Sequence, residues 1–256
     1  MHATGDELWA SAVRVLAWAA LHATCFVALR ATATPAALTK PAERTYFAVS
    51  LVNIIHALIM GLRAVSVIVG GELALWSEYD VRNASWEAYI ELSTGYFCYD
   101  ALLTLAVPTN RGPTEVALNY LHHGISVLTH YYPVCVCHHG VPISVVGYIA
   151  ELSTPFTNAR WMLKEAGGGT STTVYLVNGV LMAAIFFGCR IVGMAVLLYM
   201  MFIHYPATTG NGVGDGLGGG LGHVVAPATV AFYFLNLYWM YRILRGVIDK
   251  LVLKKD

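Results

Sequence analysis

The amino-acid sequence predicts an all-α integral membrane protein with seven transmembrane helices. Of its 256 residues, 57% are hydrophobic and only 12% are charged, whereas a soluble domain carries roughly 25% charged residues. Nearly uncharged runs of about 20 residues recur along the chain, which is the length that a helix needs to cross the hydrocarbon core of a bilayer. A soluble fold could not cover its surface with so few charges, so lipid is the expected solvent for most of the chain.

Seven runs have this length and composition. They cover residues 9–29, 46–70, 87–107, 115–137, 141–162, 174–203 and 223–244. Arg14 and His22 interrupt the first run, but its start lacks the basic residues of a secretory signal, so we interpret it as a membrane span. The Gly-rich stretch at 207–222 is interpreted as a flexible linker between the last two spans.

Lysine and arginine lie almost entirely on one side of the predicted spans. Of the 15 basic residues, eleven fall in the loops and tail of one side and only Arg82 falls on the other, while Arg14, Arg63 and Arg190 fall within spans. Short cytosolic loops are enriched in basic residues. The sequence therefore predicts an N-terminus in a lumen or extracellular space and a C-terminus in the cytosol.

The charge balance and the cysteines exclude other classes of protein. The 15 basic and 15 acidic residues argue against a chain that binds nucleic acid. Five cysteines without regular spacing do not predict a disulfide framework. Cys135, Cys137, His138 and His139 lie within five residues, but the spacings of zinc sites are absent. We therefore predict no metal site.

Polar side chains within the predicted spans lie at one common depth. At about 1.5 Å per residue, they lie roughly 10–15 Å below the cytosolic surface, and ionisable groups at such depths are functional candidates. The set comprises His22, Asn53, His56, Asp100, His122, His123, Glu151 and Asn236. Arg63 and Arg190 fall outside this layer and are expected to pair with Glu91 or with lipid phosphate. The layer predicts a shared polar chamber that faces the cytosol; the alternative is that these groups only hydrogen-bond one another and fix helix packing.

Glu151 in the fifth run is followed by a proline four residues later. Pro155 has no N–H to donate to the carbonyl of Glu151, so the helix is expected to kink there. The freed carbonyl beside a carboxylate is a candidate contact for a polar ligand or a water.

Several strings in these spans resemble a known family. They are Gly95–Asp100, His122-His123, Ala150–Trp161, Asn178-Gly179 followed by Phe186-Phe187 and Arg190, and Asn236–Trp239. They resemble the TLC-domain family, which includes ceramide synthases, the translocating-chain-associating membrane protein and a ceroid-lipofuscinosis protein. The resemblance implies a six-helix TLC barrel from helices 2–7, one preceding helix, a role in lipid homeostasis and residence in the endoplasmic reticulum. The implied domains are an N-terminal helix and cytosolic loop at 1–45, a TLC domain at 46–250 and a cytosolic tail at 251–256.

The chain also departs from the family pattern. Phe47 and Asn53 stand where the family has a Trp and a Ser ahead of the His56-Ala57 pair, and Glu151–Thr154 replaces the His-Asp-x-x-Asp cluster of ceramide synthases. The absent cluster favours a non-catalytic lipid binder, which we rank first. Depth and resemblance together give the candidate lipid-binding residues Asn53, His56, Tyr96, Asn158, Arg160, Asn178, Asn236 and Trp239.

Two other functions remain as alternatives. The first is a lipid acyltransferase with acyl-CoA as co-substrate and no bound cofactor, because a His can take the proton of an attacking amine or hydroxyl. Its expected base is His122, or alternatively His123, with Asp100 or Glu151 orienting the ring; Asn158 or Asn236 would contact the carbonyl oxygen. The second is a structural subunit of a membrane complex. The expected partners are membrane lipids, and further copies of the chain or other membrane subunits, but not nucleic acid.

Overall fold

The computed structural model of the chain describes residues 2–73, 76, 82–106, 112–166, 169–209 and 222–251. Most of these residues are helical, and no β-strand occurs among them. The all-helical class is therefore confirmed. Most of the predicted Gly-rich linker, at 210–221, and most of the predicted tail, at 252–256, lie outside the described residues.

The helices follow one another with short connections and several local changes of helix type. In chain order they are α1 (Gly5–Thr32), α2 (Pro41–Gly70), α3 (Ala84–Ala106), α4 (Pro113–Ser126), α5 (Val141–Tyr148), α6 (Thr154–Ala166), α7 (Thr173–Phe186), α8 (Gly193–Tyr199), α9 (Tyr205–Thr209) and α10 (Gly222–Leu251). Segments Val127–Val136, Phe187–Val192 and Met200–His204 are π-helical, and Ile149–Ser153 is a 3-10 turn that joins α5 to α6.

Four helical stretches of the described chain are long and apolar enough to cross a membrane. They are Gly5–Thr32, Pro41–Gly70, Thr173–Ala207 and His223–Asp249. They coincide with the first, second, sixth and seventh predicted spans and are those expected of an integral membrane protein. The other three predicted runs are helical too, but their helices carry more polar side chains.

The ends of the first two helices follow from local sequence. Thr4 and Glu7 form a capping box at the start of α1, in which the Thr4 hydroxyl accepts from the Glu7 N–H and the Glu7 carboxylate accepts from the Thr4 N–H. Pro41 occupies the first turn of α2, where a missing N–H has no consequence. Gly71 ends α2 in the left-handed conformation with φ of 65°, which glycine adopts without strain.

The 3-10 turn before α6 determines how the carbonyl of Glu151, four residues before Pro155, is hydrogen-bonded. The carbonyl of Glu151 accepts a hydrogen bond from the N–H of Thr154, three residues on. The expectation of a freed carbonyl was therefore wrong, because the tighter turn supplies the donor that proline lacks.

The N-terminal helix α1 packs closely on α3. At Gly95 an added Cβ would lie 2.5 Å from the Cβ of Trp18 and 2.7 Å from the carbonyl oxygen of Val15. One turn away, Arg14 donates two hydrogen bonds to the carboxylate of Glu91, at 2.6 and 2.7 Å. A small residue and a bidentate ion pair therefore hold α1 against α3.

The ion pairs differ from those that the sequence suggested. Glu91 pairs with Arg14, so the expectation that Glu91 would pair with Arg63 or Arg190 was wrong. Arg63 instead donates to both carboxylate oxygens of Glu72, each at 2.6 Å. Glu72 lies just after the end of α2, within reach of a long arginine side chain from the last turns of that helix.

Buried apolar side chains form three clusters. The first joins α5, α8 and α10 and includes Phe232. The second joins α2, α3 and α5 around Trp86, whose indole donates to the hydroxyl of Ser144 at 3.0 Å. The third joins α1, α2 and α3 and includes Tyr96, whose ring also lines the cavity of the candidate site.

Candidate functional site

A cavity of about 460 Å³ opens among six of the helical stretches. Its wall mixes aromatic and aliphatic side chains with polar ones, as expected of a site for an amphipathic molecule. The predicted site residues that line it are Asn53, Tyr96, His122, His123, Glu151, Asn158 and Trp239. The predicted residues that lie outside its lining are His56, Asp100, Arg160, Asn178 and Asn236.

Arg190 lines the cavity as the centre of a hydrogen-bond network. It donates to the hydroxyls of Ser153 and Thr154, at 2.7 and 3.1 Å, and to the amide oxygen of Asn236 at 3.4 Å. One carboxylate oxygen of Glu151 lies 3.7 Å from its guanidinium. The expectation that Arg190 lies outside the polar layer was therefore wrong. A buried guanidinium needs such partners, because an isolated charge is expensive to remove from water.

Asp100 belongs to a second network behind the cavity wall. Its carboxylate accepts a hydrogen bond from the Asn119 amide at 2.9 Å, and the Nδ1 atom of His123 lies 3.6 Å from the same oxygen. Asp100 is only 1% exposed. The carboxylate expected to orient His122 therefore lies beside His123, while Glu151 is engaged by Thr154 and Arg190.

His122 presents a polar atom without a protein partner. Its ring packs near Phe232 and Trp239, with centroids 4.8 and 5.9 Å away. Within the described chain, His122 Nδ1 and Asn53 Oδ1 are both buried and have no hydrogen-bond partner. Leaving such a group unsatisfied costs about 1–3 kcal/mol. Both residues line the cavity, but these two atoms are themselves covered, so a polar group bound there could reach them only after a small side-chain movement.

His56 lies behind the cavity wall rather than in it. Its Nε2 atom lies 3.0 Å from the hydroxyl of Ser93, which also accepts a hydrogen bond from the Tyr148 hydroxyl at 2.9 Å. The His56 ring stacks on Tyr96 with centroids 3.9 Å apart. The His22 ring also packs here, with its centroid 6.2 Å from that of the His56 ring. His56 therefore supports the Tyr96 side chain.

Arg160 and Asn178 tie α6 to α7. The Arg160 guanidinium lies 4.2 Å from the centroid of the Tyr175 ring, a cation–π contact. The Asn178 amide donates to the carbonyl of Phe156 at 3.0 Å. Gly179 leaves room for Arg160, because a Cβ there would lie 2.5 Å from the guanidinium. Arg160 and Asn178, both predicted binding residues, therefore join α6 to α7 beside the cavity.

The cysteine and histidine cluster lies at the other end of α3. Cys135 donates to the carbonyl of Glu87 at 3.8 Å, and His138 Nδ1 lies 3.1 Å from the Glu87 carboxylate. In the described parts of the chain, no three metal-binding side chains come together. The geometry is that of a local hydrogen-bonded cluster.

The cavity-lining residues that were not predicted as site residues include Asn119, Arg190 and Arg242. Asn119 lies three and four residues before His122 and His123, and Arg242 lies three residues after Trp239. Residues at these spacings share a helix face. The periodicity could therefore have identified both, whereas Arg190 was misplaced because its long side chain reaches beyond the depth of its own backbone.

Several known proteins are similar in sequence to this chain over most of its length. The model of the TLC domain matches residues 46–245. The chain is 30% identical to TLC domain-containing protein 4 of Xenopus tropicalis over 70% of this chain and 78% of the relative. It is 27% identical to TLC domain-containing protein 4-B of Danio rerio, over 77% and 71%. It is 25% identical to TLC domain-containing protein 4 of Homo sapiens, over 77% and 72%.

The string Glu151–Trp161 favours the branch of TLC domain-containing protein 4, and the names of these relatives agree with that interpretation. The family match at residues 46–245 includes all the strings that carried the resemblance and all the residues that line the cavity. The chain therefore belongs to the TLC domain family.

Proposed function

We propose that this protein binds a membrane lipid, or the acyl chain of one, in the cavity around His122 and so acts in lipid homeostasis. The observation that carries the proposal is the open cavity of about 460 Å³ with a mixed polar and aromatic wall. A structural subunit would be expected to fill this level with packed side chains. Membership of the TLC domain family links the chain to lipid biology in general.

The proposed membrane arrangement has seven spans, with a barrel of six helices around the cavity. Lining residues come from α2, α3, α4, the 3-10 turn with α6, α7 with its π-helical continuation, and α10, whereas α1 contributes none. This division supports a TLC domain at 46–250 preceded by a separate helix at 1–45. The one-sided distribution of basic residues supports a cytosolic cavity mouth, and we place the protein in the endoplasmic reticulum.

The test is to fill the cavity with a bulky side chain. Leu118 lines the cavity, whereas Leu121 on the same helix points away from it and is 51% exposed. In native mass spectrometry of protein purified in a mild detergent, we expect wild type and Leu121→Trp to carry a co-purified lipid. Leu118→Trp should lose it while keeping the far-ultraviolet circular dichroism of wild type. Equal lipid occupancy in all three proteins, or none in wild type, would contradict lipid binding in this cavity.

A second candidate function is acyl transfer, and one contact favours a particular base for it. His123 lines the cavity and its Nδ1 atom lies 3.6 Å from the buried carboxylate of Asp100. That distance exceeds a hydrogen bond, so the carboxylate favours the protonated form of the ring by its charge and would orient the ring only after a closer approach. Within the described residues, no carboxylate contact of this kind is present for His122.

The two functions differ in turnover. Purified wild-type protein supplied with acyl-CoA and a lipid amine or alcohol should release free CoA if it is an acyltransferase, and His123→Ala should abolish that release. If wild type releases no CoA while it retains bound lipid, the binding function alone remains. Release that is equally fast in His123→Ala would reject this histidine as the base.

A further inference from the structure

The charged side chains that line the cavity do not balance. Glu151 and Arg190 lie 3.7 Å apart and offset each other. Arg242 also lines the cavity, and no acidic side chain of the described residues forms an ion pair with it. Arg242 is therefore the charged lining residue without an acidic partner in the described part of the chain.

Arg242 and the Arg190 network lie at different levels of the cavity along the axis of α10. Trp239, Arg242 and Ile243 all line the cavity, as residues three and four apart on one helix face do. Arg242 follows Asn236, the partner of Arg190, by six residues, or about 9 Å along the helix axis. Arg245, one turn further on, is exposed but does not line the cavity.

The wall offers different chemistry at these two levels. Arg242 is exposed where it lines the cavity beside Trp239 and Ile243, so its guanidinium can donate charge-assisted hydrogen bonds to a negatively charged oxygen. Six residues back from Arg242 along α10, the wall is formed by polar side chains that already have partners, such as Arg190 with Ser153 and Asn236, and this level suits an uncharged part of the ligand. The aromatic side chains suit hydrocarbon.

We infer that the ligand of the cavity is a lipid with an anionic headgroup, a phosphate or a carboxylate, and that Arg242 binds this group. The inference rests on the proposed lipid-binding function and adds the charge class of the ligand. Arg190 does not supply this site, because Ser153, Thr154, Asn236 and Glu151 already engage its guanidinium.

The experiment compares lipids built from oleoyl chains that differ in headgroup charge. Dioleoyl phosphatidate, oleate and uncharged dioleoylglycerol are titrated into protein purified in an uncharged detergent, and binding is measured by native mass spectrometry. Wild type should bind an anionic lipid about tenfold more tightly than dioleoylglycerol, as expected for one charge-assisted contact. Phosphatidate and oleate distinguish a phosphate site from a carboxylate site.

The variants separate a built site from a generally basic surface. Arg242→Gln should lose the preference for the anionic lipid while its affinity for dioleoylglycerol stays unchanged, and Arg242→Lys should retain most of the preference. Arg245→Gln is the matched control and should behave as wild type. Equal binding of charged and uncharged lipids by wild type, or an equal loss in Arg245→Gln, would overturn the inference and leave lipid binding intact. Absence of binding by every lipid would overturn both.

Discussion

Gly95→Ala tests how α1 is attached to the rest of the molecule. The α-carbon of Gly95 faces α1 so closely that a Cβ would lie 2.5 Å from Trp18 Cβ, 2.7 Å from the Val15 carbonyl oxygen and 2.9 Å from the Ala19 nitrogen. Two of these atoms belong to the backbone and cannot turn away. The methyl group can therefore be accommodated only if the two helices separate.

The size of the effect follows from these distances. Ordinary carbon contacts lie at roughly 3.5–4.0 Å, so α1 must retreat by about 1 Å or more. Such overpacking typically costs about 1–3 kcal/mol. The retreat also lengthens the two hydrogen bonds between Arg14 and Glu91, now 2.6 and 2.7 Å, one turn from the clash. Alanine in place of glycine adds up to about 1 kcal/mol of helix propensity, which partly masks the loss.

A second glycine-to-alanine variant corrects for this gain in helix propensity. Gly246 lies inside α10, and an added Cβ there would meet no atom within 4 Å. Gly246→Ala therefore gains the same propensity without a clash. Thermal unfolding in detergent, followed by far-ultraviolet circular dichroism, should place Gly95→Ala below Gly246→Ala by about 1–3 kcal/mol, or at least roughly 2 °C.

A second measurement links the loss to the separation of the helices. Adding Arg14→Gln to Gly95→Ala should lower the unfolding temperature less than Arg14→Gln does in wild type, because neighbouring sites that share one contact are not additive. Equal unfolding temperatures of Gly95→Ala and Gly246→Ala would refute the close approach of α1 and α3.

Two further predictions concern contacts at other places. Hydrogen bonds from Arg63 lower the pKa of Glu72 from its usual 4.5. The pair therefore stabilises the fold fully at pH values above 4.5, and this contribution disappears as the pH falls through the lowered pKa of the folded state. The small deficit of Glu72→Gln in unfolding temperature at neutral pH should thus vanish in stronger acid, and a constant deficit would contradict the assignment. Gly179→Ala should push Arg160 off the Tyr175 ring and, relative to the propensity control Gly246→Ala, cost within about 1 kcal/mol, because the displaced atoms end a flexible side chain. Thermal unfolding should show no such cost, relative to the same control, when Gly179→Ala is added to Tyr175→Leu; a full additional loss would exclude the ring contact as the cause.

Hydropathy located the helices because backbone groups in lipid must be paired within the helix itself. The run at 87–107 corresponds to α3 at Ala84–Ala106, and the run at 223–244 lies within α10 at Gly222–Leu251. The apolar run is shorter than α10 because hydrogen bonding continues past the last apolar turn into residues with charged side chains. Hydropathy cannot detect that continuation.

Depth along the helices identified part of the site but not its pairings. Asn53, His122, His123 and Glu151 do line one cavity, as their common depth suggested. Which groups pair is decided by rotation about the helix axes, and adjacent residues differ by about 100°. Asp100 therefore lies beside His123 rather than His122. A count of depth along single helices contains no information about such rotations between helices.

The two polar networks constrain which chemistry the cavity can support. Glu151 is engaged by Thr154 and Arg190, so it is poorly placed to accept a proton or to orient a histidine. Asp100 lies 3.6 Å from His123 Nδ1, near enough to act on that ring through its charge but beyond hydrogen-bond distance. Because Glu151 and Arg190 are already held by protein partners, this part of the wall needs little reorganisation when a ligand binds. The engagement of Glu151 and the absence of an ion pair at Arg242 among the described residues therefore favour the proposed lipid binding over acyl transfer, for which His123 would be the base.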